Sequence, residues 1–372
     1  MKKALLAVVA LLVLTSISLL FAPVRAYLIA ESLPDYPDWP EPTFALAGDE
    51  TGALYYPTSS PYDLQVIFND MRLARATTGL GYLSYPAGAS AEAPVPAMVI
   101  VPGSGGIAAG REHEYAQWFN ERGVAAFVVE YYVPRGFNND SNYIIRTSSV
   151  TEFDLIADAY AARKLLGTSP LIDAKRIGMI GFSYGGMAAR LAMDSRIYRS
   201  LAQDAPPFDL HIDAYGPCFQ NLRSTELTGA PLLTLRGTAD ASNDLKACAA
   251  REQELRDLET QVTARIYPGA GHAWENLEPS HFSEGSPYLA GCELAYDQTG
   301  QALLNGIAIT DYEIDASHAQ KMQARFTSGP LFRDCLRYGY NVGRNEQARA
   351  QGYADIESFI SGQWFSKQAS AK

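Results

Sequence analysis

Gly181-Phe182-Ser183-Tyr184-Gly185-Gly186 decides how this chain is read. It fits Gly-x-Ser-x-Gly, the nucleophile elbow, in which a serine sits on a strained turn between a strand and a helix. The flanking sequence supplies both elements. Arg176-Ile177-Gly178-Met179-Ile180 reads as a buried strand, and Met187 to Met193 as a helix. Such a turn lifts the hydroxyl off the sheet. It also aims the unpaired N–H groups of the helix N-terminus at the place where an oxyanion would form.

A nucleophilic serine needs a base, and the base needs an orienting acid. On this scaffold they follow in the order Ser, Asp or Glu, His. Pro231 to Asp240 reads as an apolar strand running into a glycine turn that ends in an acid. Ala264 to Trp274 reads as a further strand and then a Gly-rich loop carrying His272. The chain has five histidines, His113, His211, His272, His281 and His318, and only His272 sits just past a strand in a glycine loop. Ser183, His272 and Asp240 are therefore the expected nucleophile, base and orienting acid. Asp244, just before the alanine-rich run from Leu245 to Ala250, is expected to cap a helix instead. The oxyanion donors are expected to be the N–H of Tyr184 and that of Ser104. Ser104 lies in Pro102-Gly103-Ser104-Gly105-Gly106, after the strand Ala97 to Val101.

The ordered set of these pieces resembles the alpha/beta-hydrolase superfamily and, within it, the dienelactone hydrolase family. The stretches that carry the resemblance are Val101 to Gly106, Tyr132 to Gly136, Asp173 to Gly178 leading into the elbow, Tyr215 to Cys218, the Asp240 turn, and Tyr267 to His272. The resemblance runs over roughly residues 60 to 275. It implies an α/β fold with a mostly parallel sheet covered by helices on both faces. It also implies ester or lactone hydrolysis through an acyl-enzyme, with no metal or organic cofactor. Relatives place an arginine near Arg135, which makes Arg135 a candidate for a substrate carboxylate; Trp274 and Tyr184 are candidates for lining the pocket. Two features depart from the pattern. The founding members use a cysteine where this chain has Ser183, and many oxyanion loops begin His-Gly where this one has Pro102.

Residues 1–26 read as a signal peptide. Lys2-Lys3 precedes an apolar run from Ala4 to Ala22, and Pro23-Val24-Arg25-Ala26 offers a small-residue cleavage site. The run is nearly long enough to remain as an anchor, and no later stretch is apolar enough to span a bilayer. Removing these residues, which hold Lys2, Lys3, Arg25 and no acid, takes the formal net charge from −11 to −14. So acidic a chain argues against nucleic acid as a partner; a small-molecule ester is the expected one, and oligomeric state is unassigned. The four cysteines, Cys218, Cys248, Cys292 and Cys335, are even in number behind an export signal, which favours disulfides over a metal site. Of three possible connectivities, Cys218 with Cys248 and Cys292 with Cys335 is the expected one, since neighbouring strands would bring the first pair together.

The remaining organisation follows from composition. Residues 27–60, rich in Pro, Tyr and Asp, read as an N-terminal arm; 61–275 form the hydrolase core; 276–345 form an insertion with a hairpin turning at Asp297 to Gly300; 346–372 hold a closing helix and a tail. Ser149-Val150-Thr151-Glu152 reads as a capping box opening a helix to Leu166. Two other functions compete with an esterase. Gly-x-Ser-Tyr-Gly-Gly also resembles the elbow of prolyl oligopeptidase relatives, which carry a propeller that the roughly 60 residues before this fold cannot build. A binding protein on a dead hydrolase scaffold is the other, against which a complete triad argues.

Overall fold

The computed structural model describes residues 22–365, apart from Asp49, Asn139, Thr310 and Asp311. The leader thus lies outside the described residues up to position 21, and its last five residues open a helix, Ala22–Ser32. Eight strands form the main sheet: β1 (Gly52–Ser60), β2 (Arg75–Ser84), β3 (Val95–Val101), β4 (Ala125–Glu130), β5 (Ile172–Phe182), β6 (His211–Ala214), then, beyond the short β7 (Gln220–Asn221) that pairs elsewhere, β8 (Leu232–Gly237) and β9 (Val262–Tyr267). Their order is β1-β2-β4-β3-β5-β6-β8-β9, and β2 alone runs against the rest.

The central strands are apolar almost throughout because both faces are covered. Along β3, Ala97, Val99 and Val101 pack with Phe127, Val129 and the helix Glu152–Leu166 on one face. Met98 and Ile100 pack on the other with Phe182, Ile212 and Leu233, under the helices Glu112–Asn120 and Glu346–Ile360. The chain leaves β3 toward β4 and returns on the opposite side as β5. Connections that diverge in this way open a crevice beyond the carboxyl ends of the two strands, where α/β sheets bind ligands. The loop Pro102–Gly106 and Ser183 occupy that crevice.

Two boundaries differ from the sequence reading. The arm of residues 27–60 ends in β1, which joins the sheet; its Pro57 is tolerated because β1 is an edge strand. The capping box lies two residues later than expected. Ser149 closes a preceding helix, Tyr143–Ser149, so Thr151 caps Glu152–Leu166, with Asp154 accepting from the Thr151 N–H at 2.8 Å. Glu152 is thereby free to bond elsewhere.

After β9 the chain forms the antiparallel ribbon β10 (His281–Leu289) with β14 (Leu336–Val342). Between them, β11 (Leu294–Tyr296) and β12 (Ala302–Leu304) make a hairpin around Asp297–Gln301, extended by β13 (Ile307–Ala308) and by β7. A helix, His318–Ser328, starts on a Ser317–Gln320 capping box. Disulfides join Cys218 to Cys248 and Cys292 to Cys335, with Cα–Cα distances of 4.9 and 5.5 Å. The first ties the loop after β6 to the helix Leu245–Asp257; the second staples the ribbon's ends. Peptide mapping without reduction should recover these two pairs and no alkylatable thiol. Closing loops of 30 and 43 residues restricts the unfolded chain by roughly 3–4 kcal/mol each, so reduction should lower Tm sharply.

Candidate active site

β5 hands the chain to the helix Tyr184–Leu191 through one residue, Ser183, at φ 54° and ψ −115°. That backbone is strained for a side-chain-bearing residue, and close packing enforces it. A Cβ at position 181 would overlap the Gly185 carbonyl, and one at 185 would overlap the carbonyls of Val101 and Pro102. Glycine at both positions lets the elbow close on itself and on the β3 loop. The Ser183 N–H is held by the Ala214 carbonyl at 2.9 Å.

The structure brings the three expected side chains together. His272 Nε2 lies 2.8 Å from Ser183 Oγ, and Nδ1 lies 2.7 Å from Asp240 Oδ2. These contacts assign Nδ1–H to the carboxylate and leave Nε2 to accept from the hydroxyl. Asp240 also accepts from the Ser242 N–H at 3.0 Å, the Ser242 hydroxyl at 2.5 Å and Asn243 Nδ2 at 2.9 Å. Burial pushes its carboxyl up, but the adjacent His272 and these hydrogen bonds outweigh that and hold it below the usual range. Asp244 caps the helix Leu245–Asp257 by accepting from the N–H groups of Lys246 and Ala247.

The segment around β14 holds the loop that carries His272. The His272 N–H donates to the Asn341 carbonyl at 2.7 Å, and the Gly343 N–H donates back to the His272 carbonyl at 3.0 Å. Tyr215 and Tyr340 set their rings edge-on to the imidazole, 4.9 and 5.4 Å away. Glu275, fully buried three residues on, accepts from Tyr115 Oη at 2.9 Å and Tyr215 Oη at 2.7 Å; burial pushes its carboxyl up. Sequence reasoning missed Asn341, Tyr215, Tyr340 and Glu275. A glutamate three residues past the histidine was visible, but its partners come from distant segments.

Tyr184 opens its helix, so its N–H has no acceptor within that helix and lies beside the nucleophile. Its hydroxyl donates to Glu152 at 2.5 Å. Opposite lies the β3 loop: a Cβ on Gly103 would be 3.3 Å from Ser183 Cβ. Ser104 follows, with its hydroxyl 2.8 Å from Tyr143 Oη.

Two candidate substrate contacts are not available. Arg135 is 1% exposed and makes a two-pronged ion pair with Asp158, at 2.7 and 3.0 Å, plus a hydrogen bond to Ser60. Its charge is already paired, and it pins the strap after β4 to the helix Glu152–Leu166. Trp274 is fully buried edge-on against Tyr215 and Tyr267 and belongs to the core.

A sequence model of the dienelactone hydrolase family matches residues 81–326, well over half of the 372. The chain belongs to the dienelactone hydrolase family. Its sheet order and elbow are those of the alpha/beta-hydrolase fold. Stretches of 144 and 156 residues are 27% and 28% identical to the inactive dipeptidyl peptidase 10 of Mus musculus and of Rattus norvegicus. They cover 34% and 37% of this chain but 18% and 19% of those proteins, so the chain spans about a fifth of the curated relatives it matches. Among solved structures, a Klebsiella pneumoniae protein assigned as a dienelactone hydrolase is 22% identical, with a TM-score of 0.40, covering 60% of this chain and 88% of that one. A Thermogutta terrifontis esterase with bound propionate is 15% identical, with a TM-score of 0.43 and coverage of 53% and 80%.

Asp240→Asn and Asp244→Asn separate the two acids. Losing a triad acid costs about 10⁴ in kcat in the serine-protease precedent, so Asp240→Asn should be crippled. Asp244→Asn keeps a good cap and should turn over normally. A reversed pattern would overturn the assignment. The Tm difference between the unaltered protein and Asp240→Asn carries a sign. A depressed carboxyl contributes stability that is complete above its unfolded value of about 3.9. That contribution fades as pH falls through the lower folded value, so the gap should narrow in acid.

Proposed function

We propose that the protein is a serine ester hydrolase that cleaves a small carboxylic ester or lactone through an acyl-enzyme. The observation that carries this reading is the unbroken relay from Ser183 Oγ through His272 to Asp240, at 2.8 and 2.7 Å, on a strained elbow. His272 Nε2 takes the hydroxyl proton as Ser183 Oγ attacks the acyl carbonyl. Charge develops on the carbonyl oxygen, where the N–H groups of Tyr184 and Ser104 receive it. Asp240 keeps the imidazole in its productive tautomer and stabilises the cation. The tetrahedral species collapses, the C–O bond to the alcohol breaks, and His272 returns the proton to the departing oxygen. A water then repeats the cycle at the ester of Ser183, releasing the acid and restoring the hydroxyl.

The same reading makes the protein an exported one. The pattern Lys2-Lys3, apolar run and Ala26 supports it, as do the two disulfides, which persist in oxidising compartments. Among the described residues, no helix is long and apolar enough to cross a membrane.

Short acyl esters assayed beside aminoacyl amides test the proposal. Ester turnover should be abolished by an organophosphonate in step with labelling of Ser183, read by peptide mass. An adduct elsewhere, or undiminished turnover after full labelling, would overturn it. Preference for the amides would favour a peptidase.

A further inference from the structure

The loop that faces the nucleophile is anchored from beneath by two adjacent tyrosines. β4 ends at Glu130, and the next residues, Tyr131 and Tyr132, turn under the loop after β3. Tyr131 Oη donates to the Gly103 carbonyl and Tyr132 Oη donates to the Ser104 carbonyl, the latter at 3.0 Å. The Gly103 carbonyl also accepts the Gly106 N–H at 2.9 Å, which closes the loop as a tight turn. The two rings lie 4.2 Å apart, centroid to centroid. Tyr131 is fully buried.

A trans peptide is planar, so the carbonyl of one residue and the N–H of the next point in opposite directions. Holding the Gly103 carbonyl down into the core therefore turns the Ser104 N–H up and out of it. Gly103 stands against the nucleophile, since a Cβ there would lie 3.2 Å from the Phe182 carbonyl and 3.3 Å from Ser183 Cβ. The turned-out N–H thus belongs to the peptide next to the reacting hydroxyl. The Tyr132 contact does the same for the following peptide and its Gly105 N–H.

We propose that Tyr131 is a positioning residue for catalysis: by binding the Gly103 carbonyl, it aims the Ser104 N–H at the oxyanion. The proposal rests on the ester-hydrolase reading above and deepens it. The geometry answers a need that the sequence creates. Glycines at 103, 105 and 106 leave the loop free to adopt many conformations, and an oxyanion donor acts only when it is oriented in advance. Pro102 stiffens one side of the loop, and the tyrosine supplies the rest. Burial pushes the Tyr131 hydroxyl well above its ordinary value, so it stays protonated and remains a donor across the working range.

The test compares Tyr131→Phe with Tyr132→Phe on a short acyl ester. Removing an oxyanion donor outright costs about 10²–10³ in kcat. Freeing a donor that is still present should cost less, so Tyr131→Phe should lose about ten- to a hundredfold in kcat with KM within about twofold. Its rate of phosphonylation at Ser183 should fall in parallel. A purely structural tyrosine would lower Tm and leave kcat per folded molecule unchanged. Tyr132→Phe should lose less than Tyr131→Phe, because it frees the next N–H along. The proposal fails if Tyr131→Phe keeps kcat within about twofold at a native Tm, or if Tyr132→Phe is the more damaged. If Tyr131→Phe does not fold, the unaltered protein decides. On phosphonylation the Ser104 amide proton should move downfield in the NMR spectrum as it engages the adduct oxygen, and no movement would overturn the proposal. Absence of phosphonylation at Ser183 would instead sink the underlying esterase reading, so the two failures are distinguishable.

Discussion

The site depends on one strained residue. Ser183 sits where φ is 54°, and it stays there because the surroundings leave no relaxed alternative. Strand β5 fixes its entry, the helix Tyr184–Leu191 fixes its exit, and the Ala214 carbonyl holds its N–H. The flanking glycines let these backbones approach within the space a methyl group would take. Strain of this kind costs on the order of 1–3 kcal/mol, and the packed sheet offsets it. The hydroxyl is then presented to His272 Nε2 at 2.8 Å. The loop Pro102–Gly106 and the loop that carries His272 are both arranged around that fixed point.

Asp240 is held in turn by a buried charge network. Asp213 on β6 lies between Arg190 at 2.6 Å and Arg236 at 2.8 Å, and the two guanidinium groups outweigh burial to hold its carboxyl below the usual range. Arg236 continues to Asn243 at 2.9 Å, and Asn243 donates to Asp240 at 2.9 Å. Breaking a buried ion pair at one end typically costs about 3–5 kcal/mol, because the partner's charge is left unpaired. The orientation of Asp240 is therefore secured by residues on the elbow helix, β6 and β8. On the other side, Asn341 of β14 and Gly343 just after it clamp the His272 backbone. The segment around β14 thus helps to place His272.

Much of this was legible in the sequence because it is local. Ser183 and Asp240 each follow an apolar strand, His272 follows β9, and all three sit in glycine turns; a strand end is where an α/β sheet presents its chemistry. Asp244 reads as a cap because its carboxylate accepts from the N–H groups two and three residues on. What failed was tertiary. Arg135 looks like an exposed arginine in a polar loop until the helix Glu152–Leu166 brings Asp158 against it. Trp274 adjoins the histidine in sequence, yet its backbone turns it into the core. Pro57 hid an edge strand, and overlapping cap signals at Ser149 and Thr151 were resolved by the helix that ends between them. The tyrosines that carry the oxyanion loop were visible as a pair, but their acceptors are backbone carbonyls that only the fold assigns.

The most direct test is a crystal structure of the protein after reaction with an alkyl phosphonate, which mimics the tetrahedral species. Phosphorus should be bonded to Ser183 Oγ, with its free oxygen within about 3.1 Å of the N atoms of both Tyr184 and Ser104, and His272 should still be paired with Asp240. Phosphorus on another residue, or its oxygen turned away from both N–H groups, would contradict the proposed mechanism.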